Sequence, residues 1–270
     1  MTDPGRITAG RFPSGHTVRV RDGRGPGVML LNGCGLSAAG WDEVVACLPG
    51  RRVITVDRPG HHGTRHAGPP SLAGEARFLV ELLDAEPGQV VVVAHSMAAF
   101  QAEAIARLRP GRVAGVLLVD PSATPHARSS AAADALDRIA TRCLRLAAVR
   151  VVAGRMLRAG MRSQTIRPEA IDSAGWRPLW GSERALAAAA AEWLAFRGQA
   201  AQLLALRRRQ AIPAPVPAVV LEAPPFSGAA AVTSLLTAFR ASRIRRVPGS
   251  RHLMMLDEPR VIVEEIERLS

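Results

Sequence analysis

The chain of 270 residues is 48% hydrophobic, which suits one large α/β domain or two small ones. Its formal net charge is +12, and every one of its 35 basic residues is an arginine. The arginines are spread along the chain, aromatic residues make up only 4% and tyrosine is absent, so the composition argues against a nucleic-acid partner that stacks its bases on protein rings.

The beginning of the chain holds no apolar stretch that could serve as a signal peptide. No later run approaches the roughly 20 apolar residues that a membrane span requires. We therefore expect a cytoplasmic protein without a membrane partner.

Strand signals recur at residues 27–32, 52–57, 89–95, 113–120 and 216–222, with a short sixth at 243–247. The longer of these segments are mainly apolar runs. The runs are continuous rather than alternating, which is typical of parallel strands covered on both faces. Segments with helical character lie between or after them, at residues 37–48, 71–85, 97–109 and 259–269. This alternation predicts an α/β fold with a doubly wound, mostly parallel sheet.

One long segment interrupts the alternation. Residues 123–212 contain no good strand pattern, whereas residues 131–158 and 182–210 have helical spacing. We interpret the segment as a helical lid inserted into the core, with a first core part at 1–122 and a second at 213–270. Insertions at the carboxyl ends of strands lie where ligands bind, so a lid there would shape a pocket.

The predicted lid is rich in Leu, Ala and Val and contains three tryptophans, Trp176, Trp180 and Trp193. This content favours a small-molecule substrate with an apolar acyl chain or a ring. Packing of the helices against one another is the alternative explanation for the same residues. The sequence also leaves open whether the chain forms a homodimer.

The residues Ala94-His95-Ser96-Met97-Ala98 stand between a valine-rich strand and a helix. A serine hydroxyl is a weak nucleophile unless a base takes its proton, and a sharp strand-to-helix turn presents it to such a base. The usual form of this nucleophile elbow is G-x-S-x-G, and alanine is the next smallest side chain after glycine. The elbow alone does not distinguish a nucleophile from a serine that caps the helix.

Three further blocks accompany the elbow. Residues 30–41 (LLNGCGLSAAGW) end the first buried strand, residues 56–63 (VDRPGHHG) end the second, and residues 248–253 (PGSRHL) precede the last helix. With the elbow, these blocks resemble the L-x-H-G-x-G-x-x-x-x-x-W, D-x-P-G-x-G, G-H-S-x-G and catalytic-histidine segments of the α/β-hydrolase family, in the expected order and over nearly the whole chain. Asn32 stands where the family often has histidine, and alanines replace both elbow glycines.

The resemblance implies a nucleophile, a base and an acid, with Ser96 as the nucleophile. His252 follows a strand and precedes the last helix, which suits the base. His95 is next to the serine on the strand, so its side chain points to the opposite face and we expect it beneath the elbow.

Two carboxylates compete for the role of the acid that orients the base. Asp120 ends the fourth predicted strand and Glu222 ends the fifth, and both agree with the chain order Ser, acid, His. The family most often places its acid in the loop after the later strand, but residues 223–228 carry no carboxylate. Some branches of the family place it at the end of the earlier strand. We prefer Asp120 and keep Glu222 as the alternative acid.

The resemblance also implies an oxyanion hole formed by the backbone amides of Cys34 and Met97. The residues expected to line the substrate site come from the loops around the nucleophile: Asn32, Gly33, His61 and His95. The expected chemistry needs no cofactor and no metal. Cys34, Cys47 and Cys143 form an odd set without C-x-x-C spacing, which indicates neither a disulfide framework nor a zinc site.

The leading hypothesis is a serine hydrolase that cleaves an ester, thioester or lactone through an acyl-enzyme on Ser96. The same fold serves lyases, cofactor-free oxygenases and peroxidase-like enzymes, which gives a second hypothesis. The alanines at positions 94 and 98 motivate a third, a ligand-binding protein without catalytic activity. Dehalogenases of the family normally carry aspartate at the elbow, so Ser96 argues against that branch.

Overall fold

The computed structural model describes residues 7–123 and 132–270. In this part of the chain the strands form one eight-stranded sheet: β1 (Ile7–Arg11), β2 (Thr17–Arg21), β3 (Arg24–Leu31), β4 (Arg51–Asp57), β5 (Val90–His95), β6 (Val113–Val119), β7 (Ala214–Glu222) and β8 (Phe239–Arg246). Their order is β1-β2-β4-β3-β5-β6-β7-β8. β1 and β2 pair antiparallel and the other six strands are parallel, so the predicted mostly parallel sheet is confirmed.

Helices cover both faces of the sheet. The α-helices of the described residues are α1 (Asp42–Ala46), α2 (Leu72–Ala85), α3 (Ala98–Leu108), α4 (Ala133–Leu144), α5 (Ala147–Ser163), α6 (Arg177–Gly181), α7 (Glu183–Arg209), α8 (Ala229–Leu236), α9 (Met254–Asp257) and α10 (Pro259–Arg268). A 3₁₀ turn at Ala38–Trp41 precedes α1, so the single helix predicted at 37–48 is two short pieces.

The central strands are continuous apolar runs because helices cover both faces of the sheet. On β5, Val90 and Val92 belong to the buried cluster under α2 and α3, whereas Val91 and Val93 belong to the cluster under α1 and α10. Successive side chains of a strand point to opposite faces, so a strand covered on both faces needs apolar residues at every position.

Two strands, β1 and β2, and three short helices, α6, α8 and α9, lie outside the strand and helix segments predicted from the sequence. β2 alternates Val18 and Val20 with arginines, and β1 is exposed along its whole length and contains a glycine. Both strands therefore lack the continuous apolar run that marks the central strands. The short helix α8 lies in an alanine-rich stretch after β7 that carries no capping side chain.

Helices α4 to α7 connect β6 to β7 in the sequence, in the segment predicted to be a lid. The region predicted as helical at 131–158 is divided between α4 and α5. Whether these helices act as a lid, and the domain boundaries at 122/123 and 212/213, stay predictions. None of the described helices is both long enough and apolar enough to cross a membrane.

The 27-residue helix α7 packs closely on the core because its inner face is lined with alanines. Ala188 illustrates the close approach: a Cβ added at Gly60 would lie 2.6 Å from the Ala188 Cβ. Gly60 has a left-handed backbone, φ 103°, in the loop that follows β4. The alanine run at 187–191 therefore brings α7 against this loop and places Glu192 at the carboxyl end of the sheet.

Candidate active site

The carboxyl ends of the parallel strands meet at one edge of the sheet, which is where ligands bind in sheets of this type. Ser96 follows β5, Asp120 follows β6, and His252 lies in the loop after β8. The structure brings these three side chains, distant in the sequence, into one hydrogen-bonded chain.

Ser96 occupies the turn between β5 and α3 with a left-handed backbone, φ 53°. A residue with a side chain is strained in this region, and such strain accompanies serines presented at strand-to-helix turns. Ala94 and Ala98 are both fully buried, so alanine meets the demand for small neighbours at this turn. The Ser96 N–H donates to the Val119 carbonyl at 3.1 Å, which ties the turn to the end of β6.

The imidazole of His252 lies between the hydroxyl and a carboxylate. Its Nε2 is 3.1 Å from Ser96 Oγ, and its Nδ1 is 2.5 Å from Asp120 Oδ2. An ionised carboxylate only accepts hydrogen bonds, so Nδ1 carries the hydrogen and Nε2 presents its lone pair to the hydroxyl. This tautomer can take a proton from the serine.

Asp120 is fixed by its own backbone contacts. Its Oδ1 accepts from the Ala223 N–H at 3.0 Å, and its N–H donates to the Leu221 carbonyl at 2.8 Å. The residue has φ 41°, a second left-handed non-glycine position at this edge of the sheet. Both carboxylate oxygens are therefore engaged, one by the Ala223 amide just after β7 and one by His252, which sets the direction of the imidazole.

Glu222, the alternative acid, does not contact His252 in the structure. Its side chain is 1% exposed at the end of β7, and neither carboxylate oxygen has a hydrogen-bond partner among the described residues. Its ion pair with Arg246 spans 3.9 Å. Of the two acids weighed from the sequence, the structure places Asp120 at the imidazole.

His95 lies beneath the elbow with 1% of its surface exposed. Its Nε2–H donates to the backbone carbonyl of His252 at 2.9 Å, and the two rings are 4.6 Å apart. Burial first, and then the neighbouring His252, hold the pKa of His95 well below its ordinary value. His95 is therefore a neutral support for the loop that carries His252.

The loop after β3 passes directly over the elbow at Gly33. A Cβ at this position would lie 2.6 Å from His95 Nδ1 and 3.0 Å from the Ser96 Cβ, which only glycine avoids. Cys34 follows Gly33 in the loop and Met97 follows Ser96 in the elbow, and their sulfur atoms are 3.2 Å apart. In residues 7–123 and 132–270 nothing accepts a hydrogen bond from the amide of either residue. Both amides are thus free to donate to a ligand.

Two other residues expected to line the substrate site face the protein. The Asn32 side-chain amide donates to the Val56 carbonyl at 2.9 Å and to Asp57 at 3.3 Å, so it ties the β3 loop to the end of β4. The His61 ring is buried, with its Nε2 3.4 Å from Glu192. These contacts give both side chains a supporting position rather than a place at the Ser96 hydroxyl.

Three residues at this edge of the sheet were not singled out from the sequence. Ser122 places its hydroxyl 3.4 Å from that of Ser96, and its N–H donates to the Ser96 carbonyl at 3.1 Å. Arg58 and Glu192 form a buried ion pair under the β3 loop, 3.3 Å apart. Arg58 stands inside the VDRPGHHG block, which was a signal, whereas Glu192 has no motif of its own.

A cavity of about 680 Å³ opens beside this ion pair. Its lining includes Arg58, Glu75 and Glu192 but not Ser96, so it is not the space above the hydroxyl. In the part of the chain that the structure describes, no group of three or more His, Cys, Asp or Glu side chains is placed to hold a metal ion.

A family model described as the alpha/beta hydrolase family matches residues 28–265 of the chain. Cfl2 from Burkholderia cenocepacia superposes with a TM-score of 0.76 at 20% identity, covering 97% of this chain and 94% of that one. A variant of a Pseudomonas aeruginosa protein thought to be an epoxide hydrolase has the same TM-score and coverages at 18% identity.

A thermophilic esterase from Thermogutta terrifontis superposes with a TM-score of 0.69 at 22% identity, covering 97% of this chain and 96% of that one. At such identities the solved structures show that the fold is shared, and nothing about the reaction. No curated protein matches the sequence.

Proposed function

The chain belongs to the alpha/beta hydrolase family, and on that premise we propose that it is a cytoplasmic serine hydrolase that cleaves an ester, thioester or lactone through an acyl-enzyme on Ser96. The observation that carries the proposal is the 3.1 Å contact between His252 Nε2 and Ser96 Oγ, in an imidazole oriented by Asp120 at 2.5 Å. A serine hydroxyl needs such a base to become a nucleophile.

In the proposed acylation step, Ser96 Oγ attacks the substrate carbonyl carbon while His252 Nε2 takes the hydroxyl proton. The carbonyl oxygen becomes an oxyanion, and the free amides of Cys34 and Met97 supply hydrogen bonds to it. The bond to the leaving alcohol, thiol or alkoxide breaks as His252 returns the proton to that group. Asp120 stabilises the imidazolium that exists between these two transfers.

Deacylation repeats the same steps with water as the nucleophile. His252 Nε2 takes a proton from water, the hydroxide oxygen bonds to the acyl carbon, and the Ser96 oxygen leaves and regains its proton. Every atom of the reaction comes from the substrate, the serine and one water molecule. The proposed mechanism therefore uses no metal and no organic cofactor.

The proposed substrate is a small molecule with an apolar acyl chain or a ring. Support comes from the helical segment between β6 and β7, which we propose to be a lid. Only some of its tryptophans are free for such a role: Trp176 is buried in the core and stacks on Trp180 at 6.2 Å between ring centroids, whereas Trp193 is exposed. The thermophilic esterase from Thermogutta terrifontis shares the fold, and the serine at the elbow fits acyl transfer.

A fluorophosphonate probe tests the proposal, because it forms a covalent bond only with an activated serine. The wild-type protein is expected to be labelled at Ser96 and to hydrolyse p-nitrophenyl esters. The variant Ser96→Ala is expected to lose both, while Ser122→Ala, which removes the neighbouring hydroxyl, serves as the matched control that keeps labelling. Labelling that survives Ser96→Ala would overturn the proposal. Tight binding of apolar ligands without turnover of an ester and thioester panel would favour a binding protein instead.

A further inference from the structure

The buried pair Arg58 and Glu192 holds the loop that carries one of the proposed oxyanion donors. Arg58 lies in the loop after β4 and is 5% exposed, and Glu192 comes from α7 and is 2% exposed. The mechanism described above uses neither side chain. Burying two charges away from water is unfavourable unless they are paired and hydrogen-bonded, so the contacts that these two groups make must offset the loss of their hydration.

Arg58 binds two consecutive carbonyls of the β3 loop. Its Nη2 donates to the Asn32 carbonyl at 2.6 Å, and its Nη1 donates to the Gly33 carbonyl at 3.2 Å. The guanidinium is planar and holds its donors in a rigid fork, so the two peptide groups are held in a fixed relation to each other. A second hydrogen bond from Nη2, to Gln101 at 3.1 Å, fixes the guanidinium itself.

Glu192 binds the next peptide group along the loop. Its Oε2 accepts from the Gly35 N–H at 2.8 Å and from Arg58 Nη1 at 3.3 Å. Its Oε1 lies 3.4 Å from His61 Nε2. Burial raises the pKa of Glu192, but Arg58 and the hydrogen bond from His61 outweigh it and hold the pKa below its ordinary value. Glu192 is therefore ionised, and its charge strengthens the hydrogen bond from Gly35.

These contacts determine where the Cys34 N–H points. A trans peptide group is planar, with its C=O and N–H directed oppositely. The Gly33 carbonyl and the Cys34 N–H belong to one such group, so Arg58 fixes the N–H by holding the carbonyl. The groups on either side are fixed through Asn32 and Gly35. Three successive peptide groups are thus locked by one ion pair, which we name the Arg58–Glu192 clamp.

We propose that the Arg58–Glu192 clamp positions the Cys34 amide for the oxyanion, so that the oxyanion site depends on the seating of α7 against the β4 loop. The proposal rests on the proposed serine-hydrolase function. Arg58 and Glu192 are positioning residues, because they act on the substrate only through the loop. Preorganised donors need no rearrangement as charge develops, which is why their fixed direction contributes to the rate.

The test uses purified full-length variants, a fluorophosphonate probe and a p-nitrophenyl ester. Glu192→Ala removes the acceptor of the Gly35 N–H. It is expected to lower two rate constants about 10- to 100-fold: kinact, the rate constant for covalent labelling by the probe, and kcat for the ester. This loss is smaller than the roughly 10²- to 10³-fold loss that deletion of a whole oxyanion donor causes. KM is expected to stay within about twofold of wild type. Glu192→Gln keeps an acceptor oxygen of the same size and is expected to recover at least about tenfold of the lost rate.

Arg58→Lys gives an independent test that does not remove a buried charge. A lysine keeps the cation beside Glu192, but a single ammonium cannot hold two carbonyls in the plane of a fork. It is expected to lower kinact about tenfold or more with KM within about twofold. If Glu192→Ala fails to fold, the Arg58→Lys and Glu192→Gln rates decide the question.

Glu103 provides the matched control. It is equally buried, and it binds two arginines, Arg107 at 2.9 Å and Arg207 of α7 at 2.8 Å, without touching the β3 loop. Glu103→Ala and Glu103→Gln are expected to lower the melting temperature as much as the Glu192 variants do, with kinact unchanged. The clamp proposal is overturned if folded Glu192→Ala and Arg58→Lys proteins react at the wild-type kinact. A wild-type protein that neither reacts with the probe nor turns over esters would overturn the serine-hydrolase proposal and the clamp proposal together.

Discussion

His252 Nε2 lies 3.1 Å from Ser96 Oγ, although the two residues are 156 positions apart in the chain. The contact exists because β5 and β8 end at the same edge of a parallel sheet, so the loops that follow them lie together. Asp120, from a third strand end, sets the direction of the ring between them.

The carboxylate of Asp120 is predicted to be the acid of the site. Asp120→Asn keeps the size of the side chain but favours the wrong imidazole tautomer, because its amide can donate to Nδ1. The variant is expected to lower kcat for a p-nitrophenyl ester by up to about 10⁴-fold. Glu222→Gln, the matched change at the other candidate acid, is expected to leave kcat within about threefold of wild type. The opposite ranking of the two variants would assign the acid to Glu222.

Gly33 is predicted to tolerate no side chain. Gly33→Ala would bring a Cβ within 2.6 Å of His95 Nδ1, so the β3 loop must move away from the elbow. A displacement of about 1 Å in the positioned groups can cost 10²-fold in rate, and we expect a loss of kcat of that order.

Gly88 supplies the control for this change. A Cβ there would have nothing within 4 Å. Gly88→Ala is therefore expected to keep wild-type kcat in the same steady-state assay. Equal rates for the two alanine variants would show that the loop over the elbow does not position the oxyanion donors.

Cys34 is predicted to act through its backbone only. Burial, and after it the neighbouring Glu192, raise the pKa of the Cys34 thiol well above its ordinary value, so the thiol stays protonated at neutral pH. Cys34→Ala is expected to keep kcat within about threefold. Iodoacetamide, followed by peptide mass spectrometry, is expected to modify the exposed Cys143 well before Cys34. Rapid alkylation of Cys34 with loss of activity would contradict this account.

His95 is predicted to make the protein less stable in mild acid. The unfolded imidazole takes up a proton below about pH 6.5, whereas the folded ring has a depressed pKa and does not. The unfolded state then binds more protons, so the free energy of unfolding is at its full value above pH 6.5. It falls by up to about 1.4 kcal/mol per pH unit below that.

Urea unfolding of wild type and His95→Gln between pH 5 and 8 measures this effect, because glutamine keeps a donor but does not titrate. The difference in unfolding free energy between the two proteins is expected to shrink as the pH falls. His62 provides a change of opposite sign: its hydrogen bond to Asp57 raises its pKa, so its contribution to stability is present below pH 6.5 and is lost as the pH rises through the folded pKa. A pH-independent difference for His95→Gln would contradict a buried neutral ring.

Elements of the fold and residues of the site that depend on local sequence patterns could be predicted. The strands covered on both faces are continuous apolar runs, and the elbow and Asp120 each stand at the end of such a run. His252 lies in the loop after a further parallel strand, so the meeting of the three residues at one edge follows from a parallel sheet. β2 was not predicted because Val18 and Val20 alternate with arginines, the pattern of a strand near the sheet edge. β1 was not predicted because it is exposed along its whole length and has no apolar run.

The contacts that depend on tertiary packing could not be predicted. Glu192 meets Gly35 across 157 positions, and it does so only because alanines let α7 approach the β4 loop. The same packing places the His61 ring against Glu192. Residue spacing in the sequence does not specify how a helix aligns with a loop that is distant in the chain. The contact between Glu192 and Gly35 could therefore not be predicted.

The central claim, a covalent acyl-enzyme on Ser96, is tested most directly by rapid-quench mass spectrometry during turnover of a p-nitrophenyl ester. The account predicts a mass increase of one acyl group on the intact protein, located to the peptide that contains Ser96, formed at least as fast as steady-state turnover and absent from Ser96→Ala. Turnover at an undiminished rate with no adduct, or with the acyl group on another residue, would contradict it.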